Sequence, residues 1–209
     1  MWTILLLIIA YCIGSIPTSI IFGRVLRGID IREYGSHNPG ATNTFRVLGK
    51  GIGIVVGAID IFKGFFCTVF LPLLLPSDSM TSLEIRRICA GFASVTGHVW
   101  TVFAGFKGGK GVGTAFGVFL GLATIPSLIA VLVWVTLTFG TGYVSLGSIA
   151  AAAVLPAAII ILGVIRNDFS VVLSILSVII GMLVIVRHRS NISRLIKGEE
   201  SRFGKRGKQ

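Results

Sequence analysis

The sequence predicts an all-α integral membrane protein of about seven helices, two of them short and paired as a hairpin. Three observations carry this prediction. Hydrophobic residues make up 54% of the 209, and mean hydropathy is +0.92. Charged residues supply 13%, against about 25% in a soluble domain. Several apolar runs approach the ~20 residues that cross a bilayer.

The first span is about residues 3–22. It has no positive charge before its apolar run and no small-residue cleavage pattern, so it reads as an uncleaved span. Arg24 and Arg27 follow it, which places the N-terminus outside and residue 24 in the cytoplasm. Its second half, GSIPTS (14–19), is small and polar and suits close helix packing. Residues 23–50 are too polar to cross and too long for a simple connector. The second span, about 51–75, ends at Pro72 and Pro76. Residues 77–84, with Asp78 and Glu84, form an outer loop, and a third span of about 85–104 returns the chain to the cytoplasm.

Residues 112–139 pose a parity problem. Crossed once, they would put the C-terminal segment outside, although 187–209 carries eight Lys and Arg. Pro126 lies near the middle. Each half is then ~13 residues, or ~20 Å, short of a ~30 Å hydrocarbon core. The expectation is a hairpin of short helices, about 112–125 and 127–139, whose bend is shielded from lipid. Spans at about 143–165 and 169–187 complete the bundle and leave the C-terminus cytoplasmic. Fifteen of nineteen Lys and Arg then fall on the inner side. Arg86, Arg87 and Arg166 are outer exceptions, and Lys63 lies within the second span. Residues 1–198 read as a single transmembrane domain and 199–209 as a basic cytoplasmic tail.

The formal net charge is +11. It sits in short loops and the tail, which argues for membrane orientation, with or without an anionic ligand, and against nucleic acid. Cys12, Cys67 and Cys89 fall in apolar runs, and three histidines and eight acidic residues show no metal-ligand spacing. No metal or cofactor is expected.

Four polar clusters share the inner side. In 28–46, Asn38-Pro39-Gly40 is a turn signal, with Gly40 free to take positive φ. Ser36, Asn38, Thr42, Asn43 and Arg46 surround it. An ordinary polar turn is the plain reading; a seat for a small polyol or phosphate is the sharper one. The run FKGGKG (106–111) fails the Walker spacing, because Gly105 to Gly109 leaves a gap of three and Gly111 follows the lysine. Gly108, Gly109 and Gly111 still let backbone N–H groups approach an anion, a helix starting near Val112 would aim its positive end there, and Lys110 adds a full charge. The alternative is a flexible loop with orienting charges. In 139–149, Ser145 and Ser148 suggest helix capping. In 186–200, His188 and Asn191 are three apart and share a face if the helix continues, and His188 can exchange protons near neutral pH. Asp60 and Lys63 are expected to pair within one helix, and His98 to pack with a hydrogen bond.

Together the clusters form a series: G-x-D-I-R-x-x-G-S-x-N-P-G-A-T-N-x-x-R, G-H-V-W-x-V-F-x-G-F-K-G-G-K-G-V, Y-V-S-L-x-S-I, and R-H-x-x-N-I-x-R-L-x-x-G-x-E. This series resembles the bacterial membrane-integral acyl-phosphate:glycerol-3-phosphate acyltransferase (PlsY) family, from about Gly14 to Glu199. The resemblance implies acyl transfer from acyl phosphate to the 1-hydroxyl of glycerol 3-phosphate, giving lysophosphatidic acid and inorganic phosphate at the cytoplasmic face of the bacterial inner membrane. It implies no acyl-CoA donor, and a functional partner enzyme that makes acyl phosphate. By motif, Ser36 and His188 stand nearest the chemistry. Arg46, Lys110 and Asn191 hold phosphates, with Asn38, Ser145 and the glycines in support. Ser36 is either an acylated nucleophile or an orienting group, and direct transfer is favoured because acyl phosphate is already activated. The H-x-x-x-x-D motif of other glycerophosphate acyltransferases is absent, since Thr42, Phe103 and Ser193 stand five residues after the histidines. Two positions depart from the family: His37 stands where many relatives have glycine, and Gly113 where many have alanine.

A transporter for a phosphorylated solute is the rival reading, but the chain has no internal repeats and its polar clusters converge on one side. A scaffold for anionic lipid heads would explain the tail, though not GSHNPGATN.

Overall fold

The computed structural model describes residues 1–76 and 81–203. Asp78, and residues 204–209 of the basic tail, lie outside the described residues. Every regular element among the described residues is helical. The chain forms two compact units, Met1–Leu122 and the residues from Ala123 onward.

In the first unit, α1 (Trp2–Ser15) and α2 (Thr18–Arg27) make one apolar run interrupted at Pro17, where the ring removes an N–H and clashes with the preceding turn. A 3₁₀ turn at Ile31–Glu33 and α3 (Ala41–Val47) follow, and then α4 (Lys50–Val69) and the short α5 (Leu71–Leu74). Ser82 caps α6 (Leu83–Val99) by accepting the Ile85 N–H. A second 3₁₀ turn, Val102–Ala104, leads to the glycine run and α7 (Val112–Leu122).

Small residues set the packing. A Cβ on Gly14 of α1 would lie 2.1 Å from the Ser94 carbonyl oxygen of α6. One on Gly117 of α7 would lie 1.9 Å from the Ile61 carbonyl oxygen of α4. The helices therefore touch backbone to backbone, as GSIPTS suggested: Gly14, Ser15, Thr18 and Ser19 are all buried. Gly113 differs, because its nearest obstacle is the Asp60 Cβ at an ordinary 3.4 Å. An alanine methyl therefore has room there. Gly113→Ala should hold or raise stability by about 0.5–1 kcal/mol through helix propensity. Gly117→Ala should lower it by about 1–3 kcal/mol through overpacking. Thermal unfolding of the two purified variants in detergent checks the pair, and equal effects would refute the packing argument.

Arg86, an outer exception in the charge count, is buried and donates to the Leu75 and Pro76 carbonyls at 2.9 and 3.0 Å. It satisfies the chain end after α5, so its position follows from hydrogen bonding rather than from membrane orientation.

In the second unit, α8 (Thr124–Thr141) packs on α9 (Val144–Arg166), and α9 on α10 (Val171–Arg187). The chain then bends by 56° into α11 (Arg189–Ile196). The expected break at Pro126 falls earlier, at Ala123. Pro126 lies in the first turn of α8, where its missing N–H costs nothing. Only α7, with 11 residues, is therefore a short half. The 18 residues of α8 are long and apolar enough to cross a membrane, as are the α1–α2 run, α4 and α9. Ser145 and Ser148 do not cap either. The loop closes to Gly142–Tyr143, and both serines lie inside α9. Ser148 donates to the Val144 carbonyl and accepts from the Trp134 indole.

Candidate active site

In the first unit the Ser36 segment is held from below by Asn43. That amide is buried; its Nδ2 donates to the Ile31 and Tyr34 carbonyls, and its Oδ1 accepts the Ser36 N–H at 2.8 Å. Sequence reasoning placed Asn43 beside the turn without seeing that it organises it. A polar residue at the start of a short helix, just past a loop, was the available signal. The left-handed positions are Gly35 (φ 62) and His37 (φ 58), and Gly40 is extended at φ −143. The turn closes differently from the expectation, through a Gly40 N–H to Asn38 carbonyl bond of 2.9 Å, a three-residue turn. The left-handed φ of His37 is one that glycine adopts freely, and its Nδ1 lies 2.9 Å from the Arg32 carbonyl.

Arg32 links this loop to the glycine run. It pairs with both Asp30 oxygens at 2.9 and 2.6 Å and donates to the Ala104 carbonyl at 3.1 Å. The paired guanidinium holds the Asp30 carboxyl down to about 2. A lowered carboxyl pKa stabilises the fold above the ordinary carboxylate range, and that contribution fades as pH falls toward about 2.

The glycine run docks on the end of α6. The Gly108 N–H donates to the Val99 carbonyl and the Gly109 N–H to the His98 carbonyl, each at 3.1 Å. These two N–H groups, expected to face an anion, are bonded to α6 carbonyls in this structure. Their glycines serve a close approach instead: a Cβ at Gly108 would lie 2.0 Å from the His98 carbonyl oxygen. Gly111 is left-handed at φ 86, and α7 begins at Val112, as expected. Lys110, between Gly109 and Gly111, is half-buried, and Arg46 is exposed. Pro39, Gly108 and Gly109 line one cavity of about 10 Å³, together with Thr18, Asp60 and His98. Beside it an apolar groove is walled by Ile16, Ile20, Ile21 and Phe103, with Arg24 and Arg32 at its polar end.

In the second unit, Glu200 is the hub. Its Oε1 accepts the Ser145 hydroxyl at 2.6 Å and the Asn191 amide at 2.7 Å, and its Oε2 accepts Arg194 at 2.7 Å. Burial opposes the charge, but the three donors outweigh it and hold the carboxyl below its usual range. The single proton of Ser145 points at Glu200 Oε1, the oxygen that also holds the Asn191 amide. His188 is buried at the α10–α11 bend, with Nδ1 2.7 Å from the Val184 carbonyl. A carbonyl only accepts, so Nδ1 carries a proton toward Val184. Beyond Glu200 the chain folds back: the Phe203 N–H bonds the Gly142 carbonyl at 2.7 Å, and Arg202 lies over the Tyr143 ring. The last motif ends on Glu200, but sequence reasoning gave that residue no role. An acid two residues past a helix-ending glycine, amid arginines, was the sign.

Comparison with known proteins follows the same outline. A family model described as glycerol-3-phosphate acyltransferase matches residues 4–198. A glycerol-3-phosphate acyltransferase of Staphylococcus carnosus (strain TM300) is 42% identical over 206 residues, covering 97% of this chain and 98% of the relative. One from Trichlorobacter lovleyi (strain ATCC BAA-1151 / DSM 17278 / SZ) is 46% identical over 194 residues, covering 93% and 94%. The crystal structure of PlsY (YgiH), an integral membrane glycerol 3-phosphate acyltransferase, in its glycerol 3-phosphate form is similar with a TM-score of 0.82 at 39% identity, covering 97% of this chain and 96% of that one. Its lysophosphatidic acid form gives 0.81 at 38%, covering 97% and 95%.

Proposed function

The chain belongs to the glycerol-3-phosphate acyltransferase family, and from that premise we propose that it transfers an acyl group from acyl phosphate to the 1-hydroxyl of glycerol 3-phosphate. The products are lysophosphatidic acid and inorganic phosphate. The observation that carries this reading is the likeness, over nearly the full chain, to a PlsY structure known in both a glycerol 3-phosphate form and a lysophosphatidic acid form. One family model spans both units, which supports reading 1–198 as one acyltransferase domain.

In the proposed reaction the glycerol 1-hydroxyl attacks the acyl carbonyl carbon, and the bond from that carbon to the phosphate oxygen breaks. The hydroxyl proton leaves with the departing phosphate. Both substrates are anionic, so cations must offset their repulsion and the charge building on the carbonyl. Lys110, Arg46 and Asn191 are assigned to the phosphates, with Asn38 in support. Gly108, Gly109 and Gly111 shape the loop that presents Lys110. Ser36 and His188 orient the hydroxyl. The apolar groove ending in Arg24 and Arg32 suits a donor with a hydrocarbon tail and an anionic head.

The direct assay mixes purified protein with glycerol 3-phosphate and either acyl phosphate or acyl-CoA. Lysophosphatidic acid and phosphate are expected only with acyl phosphate. Product from acyl-CoA alone would reassign the donor. Ser36→Ala should slow turnover by about 10²-fold, and quenching wild-type turnover of labelled acyl phosphate should leave no acyl group on the protein. An acyl-serine trapped at Ser36 overturns direct transfer.

The proposed orientation in the bacterial inner membrane has the N-terminus outside and both the glycine run and the C-terminus in the cytoplasm. Gly140 offers the cleanest probe, because a Cβ there meets nothing within 4 Å. With Cys12, Cys67 and Cys89 replaced, a cysteine at Gly140 should react with an impermeant thiol reagent only from the cytoplasmic side. Labelling from outside refutes the topology.

A further inference from the structure

Three charged or titratable side chains lie buried under the glycine run, and the reaction as proposed uses none of them. Asp60 and Lys63 of α4 pair at 2.8 Å, each about 5% exposed. The expected intrahelical pair is therefore present, but it does not stand alone. Asp60 Oδ1 also accepts the Thr18 hydroxyl at 3.2 Å, and Lys63 donates to the Ile16 carbonyl at 3.2 Å. Both bonds fasten α4 to the broken stretch between α1 and α2. The same Asp60 oxygen lies 3.7 Å from His98 Nδ1.

His98 reaches the glycine run in two ways. Its carbonyl accepts the Gly109 N–H. The far edge of its ring lies against the Gly109 Cα, because a Cβ there would come within 2.3 Å of His98 Nε2. The ring thus forms the floor on which Gly109 rests, one residue before Lys110. The Asp60 carboxyl lies beside the Nδ1 edge at 3.7 Å and limits how far the ring can tilt that way. Rotating or shortening this side chain opens space beneath Gly109 and lets the loop sink. Water-sized space already exists there, in the cavity that His98 shares with Asp60, Thr18 and Gly109.

We infer that His98, oriented by Asp60, is a positioning residue that sets the height of the Gly108–Lys110 segment and thereby the affinity for the phosphate of glycerol 3-phosphate. The inference rests on the reaction proposed above and assigns His98 no contact with substrate.

Two replacements separate the ring's edges. The amide of glutamine reaches roughly where Nε2 lies, and that of asparagine roughly where Nδ1 lies. H98N should keep the link to Asp60 and lose the floor; H98Q should keep the floor. Initial rates are measured for the purified full chain against both substrates, with glycerol 3-phosphate binding followed by titration calorimetry. H98N should raise KM and Kd for glycerol 3-phosphate about tenfold or more, with kcat and the donor KM changed less than about threefold. H98Q should restore most of that affinity. H98A tests the same loss, and if it fails to fold, H98N and H98Q decide the matter between them. Unchanged glycerol 3-phosphate affinity in H98N overturns the inference. So does a kcat loss shared equally by H98N and H98Q, which would mark His98 as mere scaffold. Wild-type protein that makes no lysophosphatidic acid overturns the reaction itself, a separate result.

Discussion

Glu200→Gln should cost the enzyme about 10²-fold in kcat/KM and the second unit about 2–3 kcal/mol of stability. The carboxylate accepts three donors from two helices: Ser145 in α9, and Asn191 and Arg194 in α11. A glutamine keeps one oxygen and turns an NH₂ toward groups that also donate. Asn191 then loses its anchor, and α11 its tie to α9. The carboxyl also sets a pH window. Its pKa in the fold is lowered, so the contribution is fully present above the ordinary glutamate range and disappears as pH falls through the folded value. Wild-type unfolding temperature should therefore drop on acidification, while that of Glu200→Gln should depend less on pH in the same range. Equal pH profiles would show that Glu200 is not the titrating hub.

What could be read from the sequence depended on how local the bonding of each residue is. Apolar runs interrupted by proline, glycine and charge gave the helices, because a bilayer forces backbone hydrogen bonds to close within each segment. The boundary at Ala123 was missed because proline marks both kinks and first turns, and only the capping geometry tells them apart. The motif residues around Ser36, Lys110 and His188 stood out by type and spacing. Asn43 and Glu200 were in the motifs too, but their organising roles were not legible, because each acts through bonds to residues distant in sequence or to backbone carbonyls. The glycines misled in an instructive way. Spacing revealed that the backbone approaches something closely, and an anion was the natural guess. For Gly108 and Gly109 the close neighbour is His98 instead.

That correction concentrates the phosphate chemistry of the glycine run on one side chain. If the Gly108 and Gly109 N–H groups are held by α6, charge must come chiefly from Lys110. Lys110→Ala should then lower kcat/KM by about 10²–10³-fold, with the KM for glycerol 3-phosphate rising and kcat falling together. Lys110→Arg should recover only part of the loss, because a planar fork and a compact ammonium fill different space. A second readout isolates the phosphate. Inorganic phosphate, a product of the proposed reaction, should inhibit the wild type competitively with glycerol 3-phosphate and inhibit Lys110→Ala far less. Near-normal kinetics in Lys110→Ala, or undiminished phosphate inhibition, would return the loop to the role of an orienting charge and shift the burden to Arg46. The unequal settings of the two cations favour the first outcome. Arg46 is exposed on a short surface helix, and Lys110 is half-buried at the start of α7. Partial desolvation strengthens an ion pair with phosphate, and full exposure screens it.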